Sequence, residues 1–186
     1  MSAEAITSAL EQHIRTFFAG HQVALQQFDR GPAVHRLPNL RVLEIAPGPR
    51  SATWTYVTRG AWEANPQNPF EYLMTGDRAR PRYCELLTIV AFYALSTALG
   101  IGHTMSIGEP LLDGSLCQDV YLSLPYTFGP KLERFALDGR EGQILWVFPL
   151  TPPEKKFLIA NGLQALEDRL EASKVEYWSP FRPSVI

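Results

Sequence analysis

The spacing of apolar residues changes period several times along the chain, and each change marks an element. Ile6, Leu10, Ile14, Phe17 and Phe18 recur at helical spacing with Glu4, Glu11, Gln12 and Arg15 between them. That pattern predicts an amphipathic helix over 3–19, stopped by Gly20. Residues 21–39 hold no single period and carry turn signals at Gly31-Pro32 and Pro38-Asn39. Leu40–Ile45 reads as a strand closed by Pro47-Gly48-Pro49. Over 52–60, Trp54, Tyr56 and Thr58 alternate with Thr53, Thr55 and Val57, which is strand periodicity. A polar loop over 63–68 precedes a third strand, Phe70–Thr75. Leu86–Leu99 is apolar almost all round, and no Asp, Glu, Lys or Arg lies between Glu85 and Glu109. A buried helix over 81–99 is expected there, ended by Gly100-Ile-Gly-His103, with Met105–Ile107 as an extended piece.

The C-terminal half is more strongly punctuated. Val120, Leu122 and Leu124 alternate with Tyr121 and Ser123, so another strand is expected before turns at Phe128-Gly-Pro130 and Asp138-Gly139. Ile144–Leu150 is a continuous apolar run suited to one buried strand. Thr151, Pro152, Pro153 and Glu154 follow as a Thr-x-x-Glu capping box with proline in the first helical turn. Ile159, Leu163, Leu166 and Leu170 form a helical stripe that Asn161-Gly162 splits in two, and the tail from Tyr177 reads as irregular. Strands with helices between and after them predict one α+β domain over 1–186, with a mixed, mainly antiparallel sheet and helices packed on it.

Composition narrows the classes. The chain has 186 residues, 46% hydrophobic and 19% charged, enough for one core and unlike a disordered segment. A net charge of −2 disfavours nucleic acid as a partner. Cys84 and Cys117 are far apart and form no CxxC, which suits a reducing cytosol. The N-terminus lacks a basic segment followed by an apolar one, so a cytoplasmic location is expected. The uncharged 85–109 stretch is interrupted by Thr88, Ser96 and Thr97 and cut short by Gly100 and Gly102, so core is favoured over a membrane span.

Candidate chemistry is sparse. His13, His21, His35 and His103 sit in neither HxxxH nor HExxH, and a metal would need distant residues such as His103, Cys117 and Cys84. A thiol hydrolase would pair Cys117 with His103 as base and Asp119 or Glu109 as orienter, but nothing around Cys117 marks an activated thiol. There is no GxSxG and no phosphate-binding loop, and Gly100-x-Gly102 lacks the third glycine of the dinucleotide fingerprint. Glu71 and Glu85 read as surface or helix-start carboxylates rather than a catalytic pair. Arg78, Arg80 and Arg82 read as a solvated turn, with an anion contact as the sharper alternative. The four tryptophans read as core or rim aromatics. No cofactor, metal or catalytic residue is expected.

The ordered set of segments resembles the Suppressor of fused domain family over roughly 35–186. It comprises Phe70-Glu-Tyr-Leu-Met-Thr75, Gly102-His103 with Gly108-Glu-Pro110, and Tyr121-Leu-Ser-Leu-Pro-Tyr126. Ile144-Leu-Trp-Val-Phe-Pro-Leu-Thr151 with Glu154, Asn161-Gly162 and Pro180-Phe-Arg182-Pro-Ser-Val185 complete it. The resemblance implies a protein-binding domain without catalytic activity. Larger animal members hold a transcription factor's peptide in a cleft closed by a second domain, and this chain ends where that domain would begin. Eukaryotic members tend to carry Gly-Asp-His where this chain has Gly102-His103. The resemblance therefore points to the stand-alone bacterial form, associated with toxin systems, in which the domain acts as an immunity protein. The implied partner is a toxin domain or peptide segment, met by strand addition or in a groove after the buried helix. The residues expected there are His103, Met105, Ser106, Glu109 and Tyr126. A homodimeric scaffold is a third reading.

Overall fold

The computed structural model describes residues 2–27, 33–176 and 178–186. In chain order its elements are α1 (Ala3–Phe17), β1 (Val23–Gln26), α2 (Ala33–Arg36), β2 (Arg41–Ile45), β3 (Trp54–Arg59), β4 (Phe70–Gly76) and α3 (Pro81–Tyr93). Then come β5 (Thr104–Ser106), β6 (Asp119–Ser123), α4 (Pro130–Glu133), β7 (Arg134–Leu137), β8 (Arg140–Leu150), α5 (Pro152–Asn161) and α6 (Leu163–Ser173). A 3-10 turn spans Ala61–Ala64. The fold is α+β, with eight strands in one mixed sheet among the described residues, as the sequence pattern predicts. Two compact units divide the chain: Met1–Leu99 with Leu124–Trp146, and Gly100–Ser123 with Val147–Ile186.

In the first unit, β1, β2, β3 and β4 pair antiparallel in sequence order, β4 pairs parallel with the first half of β8, and β7 returns antiparallel on β8. Ser2 caps α1 by accepting from Ala5 N–H at 3.2 Å, and the helix buries Ile6, Leu10 and Ile14. Helices cover both faces of the central strands. On one face of β3, Tyr56 meets Tyr83 of α3 with ring centroids 5.2 Å apart. On the other, Arg59 pairs with Glu11 of α1 at 3.2 Å. Coverage on both sides is why β4 is buried from Glu71 to Gly76 without the alternation of a half-exposed strand.

Three expectations in this unit need correction. β1 was not anticipated: Val23-Ala-Leu-Gln26 lies on an outer strand, so it never developed a buried alternation. The helix expected over 81–99 ends at Tyr93 and is not buried all round. It buries Tyr83, Leu86, Leu87 and Val90, while Ile89 and Tyr93 are each 41% exposed. β7 was also missed, because the Asp138-Gly139 turn that joins it to β8 was read without its first strand. Both turn residues have positive φ, 46° and 82°, as a tight hairpin needs. The Gly31-Pro32 turn and the start of the tail at Tyr177 lie outside the described residues.

In the second unit, β5 pairs antiparallel with β6, and β6 lies beside β8, with Gln118 N–H donating to Leu150 C=O at 3.0 Å. The capping box forms: Glu154 Oε2 accepts from Thr151 N–H at 2.9 Å. Gly162, at φ 86°, ends α5 and opens α6, as the Asn161-Gly162 break predicts. One stripe residue was misassigned. Ile159 is 71% exposed, and its neighbour Leu158 is buried instead, because the break at Gly162 re-aims the chain and the spacing from Leu163 onward does not carry back into α5. No helix among the described residues is long and apolar enough to cross a membrane.

Candidate protein-binding site

Among the described strands β5 has one neighbour, β6, so half of its main-chain groups face away from the sheet. Which half follows from the ladder. The register pairs Thr104 with Tyr121, Met105 with Val120 and Ser106 with Asp119. Leu122 N–H donates to His103 C=O, and Ile107 N–H donates to Gln118 C=O, each at 2.9 Å. Inward bonding therefore falls on 103, 105 and 107, and the N–H and C=O of Thr104 and Ser106 point outward. At the entry to β5, Gly102 N–H also reaches Leu122 C=O at 2.7 Å, and the positive φ of Gly102, 82°, lets the chain bend into the strand there.

Four of the five residues expected at a binding site sit on this short stretch. His103 and Ser106 are exposed, Met105 is buried under the strand, and Glu109 is exposed in the following loop with a polar partner of its own. Tyr126 is 62% exposed in the Pro125–Phe128 turn, which belongs to the first unit. Thr104, not singled out from sequence, contributes as much outward backbone as Ser106. Only the ladder reveals this, since main-chain direction leaves no trace in composition.

The edge rests on a rigid base. Lys155 of α5 donates to Asp119 of β6 at 2.6 Å, and Ser123 donates to Glu167 of α6 at 2.7 Å. Tyr121 meets Phe148 of β8 with ring centroids 4.9 Å apart. Behind them, Arg182 is 1% exposed and grips Glu154 with two bonds of 2.6 and 2.8 Å. Its second Nη also donates to Pro149 C=O at 2.9 Å. Val185 N–H donates to Glu154 at 3.0 Å and Ser115 Oγ donates to Pro180 C=O, so the C-terminal tail is stitched down. The Arg182 guanidinium and these donors hold the Glu154 carboxyl below its ordinary range despite its burial.

The thiol-hydrolase arrangement does not form. Cys117 is fully buried and burial raises its thiol, the reverse of activation. His103 C=O accepts from Leu122 N–H near the far end of β6, whereas Cys117 precedes the start of that strand. Asp119, one of the two expected orienters, is engaged by Lys155. No group of three potential metal ligands occurs among the described residues. The arginines at 78–82 form local pairs: Arg78 and Arg80 with Asp77, Arg82 with Glu85.

Glu71 was misread. It is fully buried in β4, not on the surface, and it closes the 3-10 turn. Its carboxylate accepts from Thr58 Oγ1 at 2.5 Å and from the N–H groups of Gly60, Ala61 and Trp62 at 2.8, 3.2 and 3.2 Å. Among the described residues no ion pair reaches it, and burial outweighs the four donors, pushing it up to about 7. Its one sequence signal was an acid inside an otherwise apolar strand.

The described residues thus form a mixed α+β sheet with an open edge at β5. The Suppressor of fused protein (SUFU) family model matches residues 36–183, and the chain belongs to that family. It is similar over 98% of its length to a SUFU homologue from Neisseria gonorrhoeae FA 1090, with a TM-score of 0.85, 23% identity and 97% of that chain covered. It is also similar to the Sufu–Fu complex structure, with a TM-score of 0.73, 12% identity, and 97% and 92% of the two chains covered. Drosophila Suppressor of Fused follows with a TM-score of 0.65 and 10% identity over 97% of this chain and 51% of that one. No curated protein sequence matches.

Proposed function

We propose that the protein is a non-catalytic, cytoplasmic binding domain that neutralises a bacterial toxin by holding an extended segment of it on the β5 edge. The observation that carries this reading is the pair of outward-facing main-chain donors and acceptors on Thr104 and Ser106. A partner strand laid there gains up to four hydrogen bonds, and exposed His103, Ser106 and Glu109 supply side-chain selectivity. Family membership and the similarity to a Sufu solved in complex with Fu support protein binding in general. The immunity role rests on the resemblance to stand-alone bacterial members.

The test is co-expression with candidate toxin domains, scored by rescue of growth and by copurification. Ser106→Pro removes an outward N–H and leaves the bonds between β5 and β6 in place. It is expected to weaken capture by roughly tenfold, as for a buried hydrogen bond lost at an interface. Glu109→Lys and His103→Ala are expected to change partner preference. Capture unaltered by all three would remove the β5 edge from the mechanism, and failure to bind or rescue against any candidate would remove the immunity role.

A further inference from the structure

The described strands leave three edges with unpaired backbone, and they are protected very differently. β7 is flanked by charge: Arg134 and Glu141 are 57% and 64% exposed and pair at 3.2 Å. β5 is three residues long and polar at its exposed positions. β1 has neither device. From Gln22 to Gln27 the sequence reads Gln-Val-Ala-Leu-Gln-Gln, with no charge, no proline and no glycine. Ala24 is exposed and Leu25 is 41% exposed. Edges of this composition are those that pair with another strand unless something blocks them.

The ladder fixes what β1 offers. Ala46 N–H donates to Gln22 C=O at 2.9 Å, and the register pairs Ala24 with Glu44 and Gln26 with Val42. Inward bonding falls on 22, 24 and 26, so the N–H and C=O of Val23 and Leu25 face outward. These two residues are self-complementary about Ala24. In an antiparallel pair of β1 strands centred there, Val23 of each copy exchanges two hydrogen bonds with Leu25 of the other, four in all. Ala24 then faces its own counterpart, Val23 packs beside Leu25, and Gln22 lies opposite Gln26. No like charges meet on either strand, so nothing along it opposes the two-fold pairing.

We infer that β1 is a homodimerisation edge, joining two copies of this chain through antiparallel β1–β1 pairing centred on Ala24. The occupant is a second copy because the register closes on itself with apolar and amide contacts throughout. The contact is short, so the dimer forms and dissociates with concentration. It uses a different strand from β5, and variants separate the two.

Sedimentation equilibrium of the full chain over a concentration series tests this. Wild type is expected to move from monomer toward dimer mass. Ala24→Lys places two ammonium groups face to face and is expected to leave monomer throughout, as is Ala24→Glu. Mixing the two variants is expected to restore dimer as a heterodimer. Because Ala24 is exposed, melting temperatures of the variants serve as a folding control. Ala24→Cys gives an independent readout. Non-hydrogen-bonded partners have Cα atoms about 4.5 Å apart, within the disulfide range of about 4.4–6.8 Å. Cys84 and Cys117 are buried, so the introduced thiol reports alone. A symmetric disulfide is expected to form faster than with Gln27→Cys. Wild type that stays monomeric at every concentration, a dimer indifferent to Ala24→Lys, or equal cross-linking at positions 24 and 27 would overturn the assignment.

Discussion

Glu71 and Glu154 are both fully buried carboxylates, and the two units stabilise them in opposite ways. Glu154 has a cation: the Arg182 guanidinium binds it at 2.6 and 2.8 Å. Glu71 has main-chain N–H groups and one hydroxyl, and among the described residues no cation pairs with it. Oriented dipoles satisfy the oxygens as acceptors but offset less of the desolvation of a charge than a cation does. Hence one carboxyl is held low and the other is pushed up to about 7. The lesson is that satisfied hydrogen bonding and compensated charge are separate conditions, and of these two acids the one with the counter-ion is held low.

The largest break in this comparison comes from removing the cation. Arg182→Ala leaves Glu154 buried and uncompensated and frees the tail. It is expected to lower unfolding free energy by about 3–5 kcal/mol, read by urea denaturation at neutral pH. Adding Glu154→Gln to Arg182→Ala is expected to recover part of that loss.

The next effect is pH dependence. Glu71 sits above its ordinary value of 4.5, so between there and about 7 the folded state binds a proton that the unfolded state has released. Stability from this group is full below 4.5 and falls as pH rises to about 7, by on the order of 3 kcal/mol. Glu154 has the other sign: its contribution is present above 4.5 and is lost as pH falls through its lowered folded value. Denaturation curves from acid to neutral pH should therefore peak near the ordinary carboxyl range. Glu71→Gln is expected to flatten the neutral-side slope while leaving the acid side intact. A slope unchanged by Glu71→Gln would assign it to another group.

The smallest effect sharpens the role of the dipoles. Gly60 starts the 3-10 turn at φ 96°, and a Cβ there would lie 2.8 Å from Asn39 C=O. Gly60→Ala is expected to cost about 1–3 kcal/mol by straining the turn that presents its N–H groups to Glu71. It should also raise the Glu71 pKa further, seen as a neutral-side slope that extends to higher pH.

Local pattern made much of the fold legible. β2, β3, β4 and β8 were all readable because central strands are buried and their apolar runs are bounded by turn residues. The cap at Thr151 and the break at Gly162 were readable because they depend on residues within four positions. β1 was not, since it shows no buried alternation; β7 does alternate, burying Phe135 and Leu137, but four residues beside a turn are too short a run to stand out as a strand. The apolar surface of α3 at Ile89 and Tyr93 was read as core because the stretch after Glu85 carries no charge and looks buried from composition alone. The candidate edge was legible as a region, through His103, Met105, Ser106 and Glu109, but not as a mechanism. Thr104 and Ser106 qualify through their backbone direction, which is set by the register against β6.

The sequence by itself determined the α+β class, the central strands, the capped entry into α5 and the family, because each is written in residue types close together or in fixed order. Tertiary structure alone decided which buried acid has a counter-ion and which backbone groups stay open. Arg182 reaches Glu154 across 28 residues, and Glu71 meets Gly60–Trp62 only when β4 folds back beside β3. Charge compensation and edge exposure are relations between segments distant along the chain, and local pattern carries no record of which segments meet.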